Sequence, residues 1–290
     1  MKQLKIGIPK GSLEANTVEL FKRAGWHIRY DSRSYFPDID DEEILCSLVR
    51  AQEMSRYVEN GTLDLGLTGK DWILENESDV VVVQDLVYSK ASARRARWVL
   101  VVREDSPVKS IDDMRGKKIS TELVNFTRKY FQERDIDVHL EFSWGATEAK
   151  VVEGLVDGIV EVTETGSTLR ANNLRIVHEL METNTQLIAN EKAWEDPWKK
   201  KKIEQIDMLL KGSLMALGKV SLKMNVSREN LGRVVLLLPS LKAPTTSELY
   251  HEEWFAVEAV VDREIVRELI PLLREAGAEG IIEYPLNKVL

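Results

Sequence analysis

The 290-residue chain contains a single cysteine, Cys46. An intrachain disulfide is excluded, and so are zinc sites built from several thiolates. Histidine is nearly as scarce: His27, His139, His178 and His251 are scattered, and none falls at a metal-ligand spacing from another. Positive charge is also short. Lys and Arg number 40 against 48 Asp and Glu, a formal charge of −8. Dedicated DNA and RNA binders draw their affinity from phosphate neutralisation, so this balance argues against nucleic acid as a partner. No apolar run approaches the roughly 20 residues of a spanning helix or the roughly 7–15 of a secretory signal core. Only a short apolar stretch precedes Pro9, so the expectation is a soluble, cytoplasmic protein with no membrane partner.

What is present suffices for real cores. Hydrophobic residues make up 43% and charged residues 30%, which excludes a disordered chain. At roughly 100–200 residues per domain, the length suggests about two domains or three small ones. Up to residue 90, short apolar strands alternate with amphipathic helices. Leu4–Ile8 reads as a buried strand, and Pro9-Lys-Gly-Ser12 as a loop with Ser12 as helix N-cap. Leu13, Thr17, Leu20, Phe21 and Ala24 follow at helical spacing. Strands are predicted at Ile44–Val49 and Leu63–Thr68, with a short helix over Gln52–Glu59 ended by Asn60-Gly61. The β-branched run Val80–Gln84 is best placed in a buried strand. Trp98–Val102 restarts the pattern, with strands at Lys117–Ser120, Asp137–Phe142, Gly158–Val162 and Asn173–Leu180 and helices at Asn125–Glu133 and Thr147–Leu155. Such alternation implies α/β sheets. Thr185–Ala189 has strand character and no linker before it, so the chain is expected to return to the first unit, followed by a polar helix over Ala193–Leu210.

From Gly212 the pattern changes. Val220, Leu222, Met224 and Val226 alternate with polar residues, Ser227 caps a helix carrying Leu231, Val234, Val235 and Leu238, and Trp254–Val261 is a strand. A second helical stripe runs from Ile265 to Ala276 before a strand at Ile281–Tyr284. This succession suggests a ferredoxin-like (βαββαβ) sandwich, a module that often binds a small effector or mediates assembly.

Three segments could carry chemistry. In the first, an apolar strand ends at Val162 and runs into Thr163-Glu-Thr-Gly-Ser-Thr168 before a helix-like stretch. A Thr-Gly-Ser-Thr turn at a helix start offers backbone N–H groups and hydroxyls to one anion; an ordinary capped turn would look the same. Glu148, Glu161 and Glu164 lie near it in sequence and could accept from vicinal sugar hydroxyls or hold a metal, or simply be exposed acids. A phosphate cradle beside such acids suggests a ribose 5-phosphate recogniser. In the second, Lys10 and Gly11 sit where the first strand passes to the first helix, a place where open α/β sheets bind ligands. The third is Asp64-Leu-Gly-Leu-Thr-Gly-Lys-Asp71, in which Asp71 is either a first-turn acid favoured by the helix dipole or a polar group facing the same cleft as Arg50. The basic cluster Lys90, Arg94, Arg95 and Arg97 falls where the chain crosses between units, as a polyanion cleft or a solvated hinge.

Taken together, these segments resemble the long form of the ATP phosphoribosyltransferase family. The markers are Pro9-Lys-Gly-Ser-Leu13, Leu48-Val-Arg50, Asp64–Asp71, the Glu161…Thr165-Gly-Ser-Thr-Leu169 loop with Asn172, Lys223-Met-Asn-Val226 and Ala243-Pro-Thr245, in order over essentially the whole chain. The resemblance implies an α/β protein: two periplasmic-binding-protein-like α/β domains, over 1–92 with 183–211 and over 93–182, plus a C-terminal ferredoxin-like regulatory domain over 212–290 that binds histidine. It implies condensation of ATP with phosphoribosyl pyrophosphate (PRPP), with Mg²⁺, to phosphoribosyl-ATP and pyrophosphate, feedback inhibition by histidine, and homodimers and homohexamers.

Carried onto this sequence, the resemblance gives the PRPP 5-phosphate to Glu164, Thr165, Gly166, Ser167 and Thr168. The ribose hydroxyls go to Glu148 and Glu161. Lys10, Gly11 and Arg50 face the pyrophosphate or nucleotide phosphates, with Asp71 on the nucleotide side. Lys10, Glu148 and Glu161 are the catalytic candidates, and Asn225 and Thr245 the effector candidates. There are departures. Many relatives carry Tyr-Pro after Thr-Glu in the second domain; here Thr121-Glu122 leads into Leu123-Val124, leaving no aromatic ring at 123. Glu161 stands where an aspartate is common, and some relatives have an acid where this chain has Asn225. Two other readings share parts of the pattern: a two-lobed solute-binding protein, which the missing export signal disfavours, and an enzyme such as a prephenate dehydratase, which leaves the 165–168 turn without a phosphate to bind.

Overall fold

The computed structural model describes residues 2–29, 34–88, 95–239, 241, 243–250 and 253–290. The chain divides into two compact units, residues 1–19 with 26–207 and residues 20–25 with 208–290. In chain order the first part runs β1 (Leu4–Lys10), α1 (Glu14–Ala24), β2 (Ile28–Arg29), β3 (Asp38–Ile39), β4 (Ile44–Arg50), α2 (Ala51–Glu59), β5 (Leu65–Gly69), α3 (Lys70–Asn76) and β6 (Val81–Leu86). It continues as β7 (Ala96–Arg103), β8 (Lys118–Thr121), α4 (Val124–Gln132), β9 (His139–Phe142), α5 (Thr147–Val152), β10 (Gly158–Thr163), α6 (Ser167–Ala171), β11 (Leu174–Thr183), β12 (Thr185–Ala189), α7 (Glu191–Glu195) and α8 (Pro197–Leu217). Two five-stranded mixed sheets result, in the orders β4-β1-β5-β12-β6 and β11-β7-β10-β8-β9.

In the first lobe, β1 pairs in parallel with β4 and β5. Its Leu4, Ile6 and Ile8 are fully buried. Gly7 and Gly66 stand side by side on adjacent strands. A Cβ on either would meet the Met54 sulfur, at 2.2 and 2.8 Å. The two glycines thus let α2 lie flat on the sheet, which sets where its first residue, Ala51, begins. Cys46 is buried in β4, and its thiol is pushed up to about 12 by burial, so it is no nucleophile at neutral pH. The Val80–Gln84 run does not form a buried strand. It falls in β6 at the sheet edge, bonded to β12, with Val82 48% exposed. Its β-branched composition specifies an extended backbone but not two covered faces.

The second lobe has its own core around Trp98, Leu100, Val102, Met114, Ile119 and Phe131, with Val99, Val101, Ile159 and Leu169 on the opposite face of the sheet. The 193–210 helical stretch is two helices, because Pro197 opens a new one after Asp196, whose carboxylate accepts the Trp198 and Lys199 N–H groups.

The second unit adds β13 (Lys219–Ser227), α9 (Leu231–Leu237), β14 (Thr245–Glu248), β15 (Trp254–Asp262), α10 (Arg263–Glu275) and β16 (Ala278–Pro285). The order βαββαβ folds into an antiparallel sheet β14-β15-β13-β16, the ferredoxin-like arrangement. Val220, Leu222, Met224 and Val226 project to the helices with Val257, Ala259 and Val261. Ser227 does not cap α9. It ends β13, and the cap position falls on Asn230, whose side-chain amide donates to the Ser227 hydroxyl at 3.1 Å.

Candidate active site

The strand pairing places the first functional groups. Parallel register sets Lys10 opposite Arg50 at the carboxyl ends of β1 and β4, the ligand-binding edge of such sheets. The Lys10 ammonium lies 3.9 Å from the Tyr35 ring centroid, a cation–π contact. Gly11 follows at φ +118°, a conformation that only glycine adopts freely, and its N–H donates to Glu14 Oε2 at 3.1 Å. Arg50 occupies the cap position of α2, and the Thr68 hydroxyl fixes that corner by donating to the Ala51 carbonyl at 2.7 Å. The second lobe answers with the ends of β8 and β10 and the start of β7. Glu122, Glu161, Glu164, Ala96 and Trp98 join Lys10, Gly11, Arg50 and Asp71 around one cavity of about 420 Å³.

Asp71 is buried at the bottom of this set. Trp98 Nε1 donates to its Oδ2 at 2.7 Å across the lobes, and the Trp72 N–H reaches Oδ1 at 3.1 Å. Its own N–H donates to the Thr183 hydroxyl at 3.3 Å. Gly69 makes room for this carboxyl: a Cβ there would stand 1.9 Å from Asp71 Oδ1. Burial pushes the Asp71 carboxyl above its usual range despite these donors. Glu122 is raised by its own burial and by the Asp71 charge. Glu161 is pushed up to about 7, chiefly by burial and further by Glu148 and Glu122, against the pull of the Val162 N–H and the Thr147 hydroxyl. Three acids raised by burial and mutual charge in one cavity mark it as a candidate functional site.

The other predicted residues are placed as follows. Glu148, in the first turn of α5, stands close enough to act on Glu161 but is not in the cavity wall. Of the 164–168 turn, Glu164 lines the cavity, while Thr165, Ser167 and Thr168 are exposed beyond it. Gly166, at φ +70°, caps α6, and its N–H donates to the Thr163 hydroxyl at 2.9 Å. The Thr165 hydroxyl donates to Ser167 Oγ at 2.9 Å. Asn225 and Thr245 are far from this cavity in sequence and share the open face of the second unit's sheet. Asn225 pairs with Ala256, and Thr245 pairs with Glu258 one row away. Both are exposed. In the basic cluster, Lys90 and Arg94 lie outside the described residues. Alternation along β7 turns Ala96 and Trp98 to the cavity, whereas Arg97 pairs with Glu179 at 2.9 Å and Arg95 with Glu182 and Asp85 at 3.5 and 3.6 Å. Those two arginines are partly exposed and pair with acids of neighbouring strands.

The sequence model of the family described as "HisG: ATP phosphoribosyltransferase" matches residues 50–212, and that of "HisG, C-terminal domain" matches residues 216–288. The chain belongs to the ATP phosphoribosyltransferase family. It is 66% identical over 287 residues to the ATP phosphoribosyltransferase of Desulfatibacillum aliphaticivorans, covering 99% of this chain and 98% of that one. It is 58% identical over 287 residues to ATP phosphoribosyltransferase 1 of Geobacter sulfurreducens, covering 99% of each. Among solved structures, it resembles the ATP phosphoribosyl transferase (HisG:HisZ) complex from Thermotoga maritima, with TM-score 0.62 and 27% identity over 72% of this chain and 96% of that one. As an ATP phosphoribosyltransferase family member the chain is a transferase of the first step of histidine biosynthesis.

Sequence reasoning missed Trp98, Trp72 and the Thr183–Thr185 crossing, all in the cavity wall. The one available signal was the indole of Trp98, since a strand tryptophan needs an N–H partner. Among the described residues, no helix is long and apolar enough to cross a membrane.

Proposed function

We propose that this chain transfers the phosphoribosyl group of PRPP to N1 of ATP within the crevice lined by Lys10, Arg50, Asp71, Glu122, Glu161 and Glu164, and that its terminal unit binds histidine as a feedback inhibitor. The observation that carries the assignment is the convergence of two cations from one lobe and acids from the other on a single cavity. The reading brings with it ATP and PRPP as substrates, homodimers and homohexamers, and a cytoplasmic location. It also assigns 1–92 with 183–211 and 93–182 to the two catalytic lobes and 212–290 to regulation.

The adenine N1 lone pair is already a nucleophile, so no activated Ser, Cys or His is required. The N1–C1 bond forms as the C1–oxygen bond to pyrophosphate breaks, and the leaving group keeps the electron pair. The transition state is cation-like at the ribose. Lys10, with Arg50 beside it, balances the charge on the departing pyrophosphate. Glu161, when ionised, accepts from the ribose hydroxyls and sets its negative charge near the developing cation. Glu148, whose charge opposes ionisation of Glu161, is assigned with it to the ribose hydroxyls. The hydroxyls and N–H groups of 165–168 hold the 5-phosphate, and Glu164 joins that turn to the cavity. Closure of the lobes excludes water and so protects PRPP from hydrolysis.

Mg²⁺ belongs to this reading through the family. Among the described residues no group of three or more His, Cys, Asp or Glu could hold a metal ion. The crevice therefore does not by itself fit a protein-built Mg²⁺ cage, and substrate phosphate oxygens would supply most ligands. None of the steps above runs through the ion.

The test is to mix the full chain with ATP, PRPP and Mg²⁺ and follow pyrophosphate and the ultraviolet absorbance of the product. Pyrophosphate release that requires both substrates, with formation of phosphoribosyl-ATP, is the expected result. Absence of product at saturating substrates would overturn the reading.

A further inference from the structure

A second cavity, of about 680 Å³, adjoins the crevice within the same unit. It shares Arg50, Gln52, Trp72 and Glu122 with the first cavity and adds Arg56 and an aromatic pair, Phe142 and Trp144. Its size lies in the range of small-molecule sites, about 300–1,000 Å³.

The aromatic pair is unusual in its exposure. Trp144 is 92% exposed and Phe142 48%. Their rings meet edge to face, with centroids 4.7 Å apart and planes at 79°. The loop that displays them is anchored. Ser143, between them, is buried; its N–H donates to the Thr121 carbonyl at 2.9 Å, and its hydroxyl shares a 2.9 Å hydrogen bond with Thr147 Oγ1. The chain then turns into α5 through two successive positive-φ residues, Gly145 at +117° and Ala146 at +51°. A non-glycine residue held there is strained and persists only where its surroundings impose it. Leaving a large ring in water also forgoes the stabilisation its burial would give. A sequence that accepts both while fixing the loop at Ser143 presents an open indole on an anchored loop.

We propose that the Phe142–Trp144 pair is the stacking platform for the purine base of the acceptor nucleotide, with Arg56 drawing its phosphates into the second cavity. This rests on the reading that the crevice takes a nucleoside triphosphate. Leu123 is fully buried in the second lobe's core and offers no surface to a base. Trp144 instead lies open on the cavity that shares Arg50 with the first. Stacking rewards the larger ring system, so the platform also favours a purine over a pyrimidine triphosphate.

The test uses the full-length wild type, W144A, W144F and F142A, with ATP and CTP binding followed by titration calorimetry and Michaelis constants measured for ATP and PRPP. Removing a base-stacking ring costs about 1–3 kcal/mol, so W144A is expected to bind ATP roughly 5- to 150-fold more weakly. The PRPP constant should be unchanged, W144F should restore most of the affinity, and F142A should fall between. The preference for ATP over CTP should collapse in W144A. An unchanged ATP affinity in W144A overturns the proposal, as does an equal loss for ATP and CTP. Unchanged affinity with altered sedimentation would reassign Trp144 to a subunit contact and overturn it too. If the wild type binds ATP through Trp144 but makes no phosphoribosyl-ATP, the transferase reading fails while the platform stands.

Discussion

Replacing Glu161 by Gln should separate stability from activity, and the size of the effect follows from its surroundings. Burial and the nearby Glu148 and Glu122 hold the carboxyl at about 7 in the folded chain, against 4.5 for a free glutamate. Because the folded pKa is raised, the favourable contribution is complete below pH 4.5 and is lost as pH rises toward 7. At 1.36 kcal/mol per pKa unit, ionised Glu161 destabilises the fold by at most about 3 kcal/mol at pH 8, and by about 1 kcal/mol at pH 5. Glutamine keeps the shape and one acceptor oxygen but has no charge to bury. E161Q should therefore melt higher than wild type at pH 8, by up to about 10 °C, with the gain shrinking toward pH 5. Its turnover should fall by about 10²-fold or more, because the negative charge opposite the developing ribose cation is gone. Wild-type kcat should rise with pH through about 7 as Glu161 ionises, and that rise should vanish in E161Q. Differential scanning calorimetry and initial rates between pH 5 and 8.5 read both effects. If E161Q melts lower than wild type at pH 8, or keeps full turnover, the electrostatic account of this carboxyl is wrong.

Other substitutions probe the rest of the site. W98F deletes the indole N–H that donates to Asp71 Oδ2 at 2.7 Å and also shrinks a buried ring; a stability loss of at least about 1–3 kcal/mol in urea is expected, with a higher Michaelis constant for ATP. An unaltered midpoint would show that the bond contributes nothing. G69A should drive the Asp71 carboxyl off its donors, since the new Cβ would sit 1.9 Å from Oδ1; its kinetic defect should match that of D71A, and a fully active G69A would refute that placement. On the second unit's open face, N225A should raise the half-inhibiting histidine concentration about tenfold while leaving kcat intact. Equal inhibition of variant and wild type would remove Asn225 from the effector site.

The parts of the site legible in the sequence are those made by one turn of chain. Lys10 and Arg50 each follow a short apolar strand and precede a helix, so a β-to-α corner could be read at each. Their side-by-side register follows once the strands are parallel. The Trp98–Asp71 bond is different. It joins residues 27 apart on opposite lobes, and neither local pattern carries any trace of the other. The same limit explains two departures in the fold. β14 is exposed at all four residues and pairs only through its backbone with β15, so it has no apolar alternation to find. β6 has strong strand composition, yet whether a strand lies at the edge or the centre is decided by which neighbours arrive, here β12 alone.

The raised acids and the way the lobes are joined have one explanation. Asp71 comes from the first lobe, Glu122 and Glu161 from the second; the Asp71 charge acts on Glu122 across the crevice, and that of Glu122 acts on Glu161 within the second lobe. Bringing them together is unfavourable, so something must hold the lobes in place. Glu75, in α3 of the first lobe, accepts from the Asn125 and Phe126 N–H groups at 3.1 and 2.9 Å at the start of α4 in the second, and its carbonyl accepts from the Asn125 side chain at 3.2 Å. A carboxylate on a helix N-terminus is stabilised both by the free donors and by the helix dipole. That clamp lies beside the second cavity, whose wall includes Glu75. In the proposed reaction, the cation-like ribose offsets that crowding of acids. Stabilisation that is realised only when positive charge develops is the kind that speeds the chemical step rather than merely tightening the substrate.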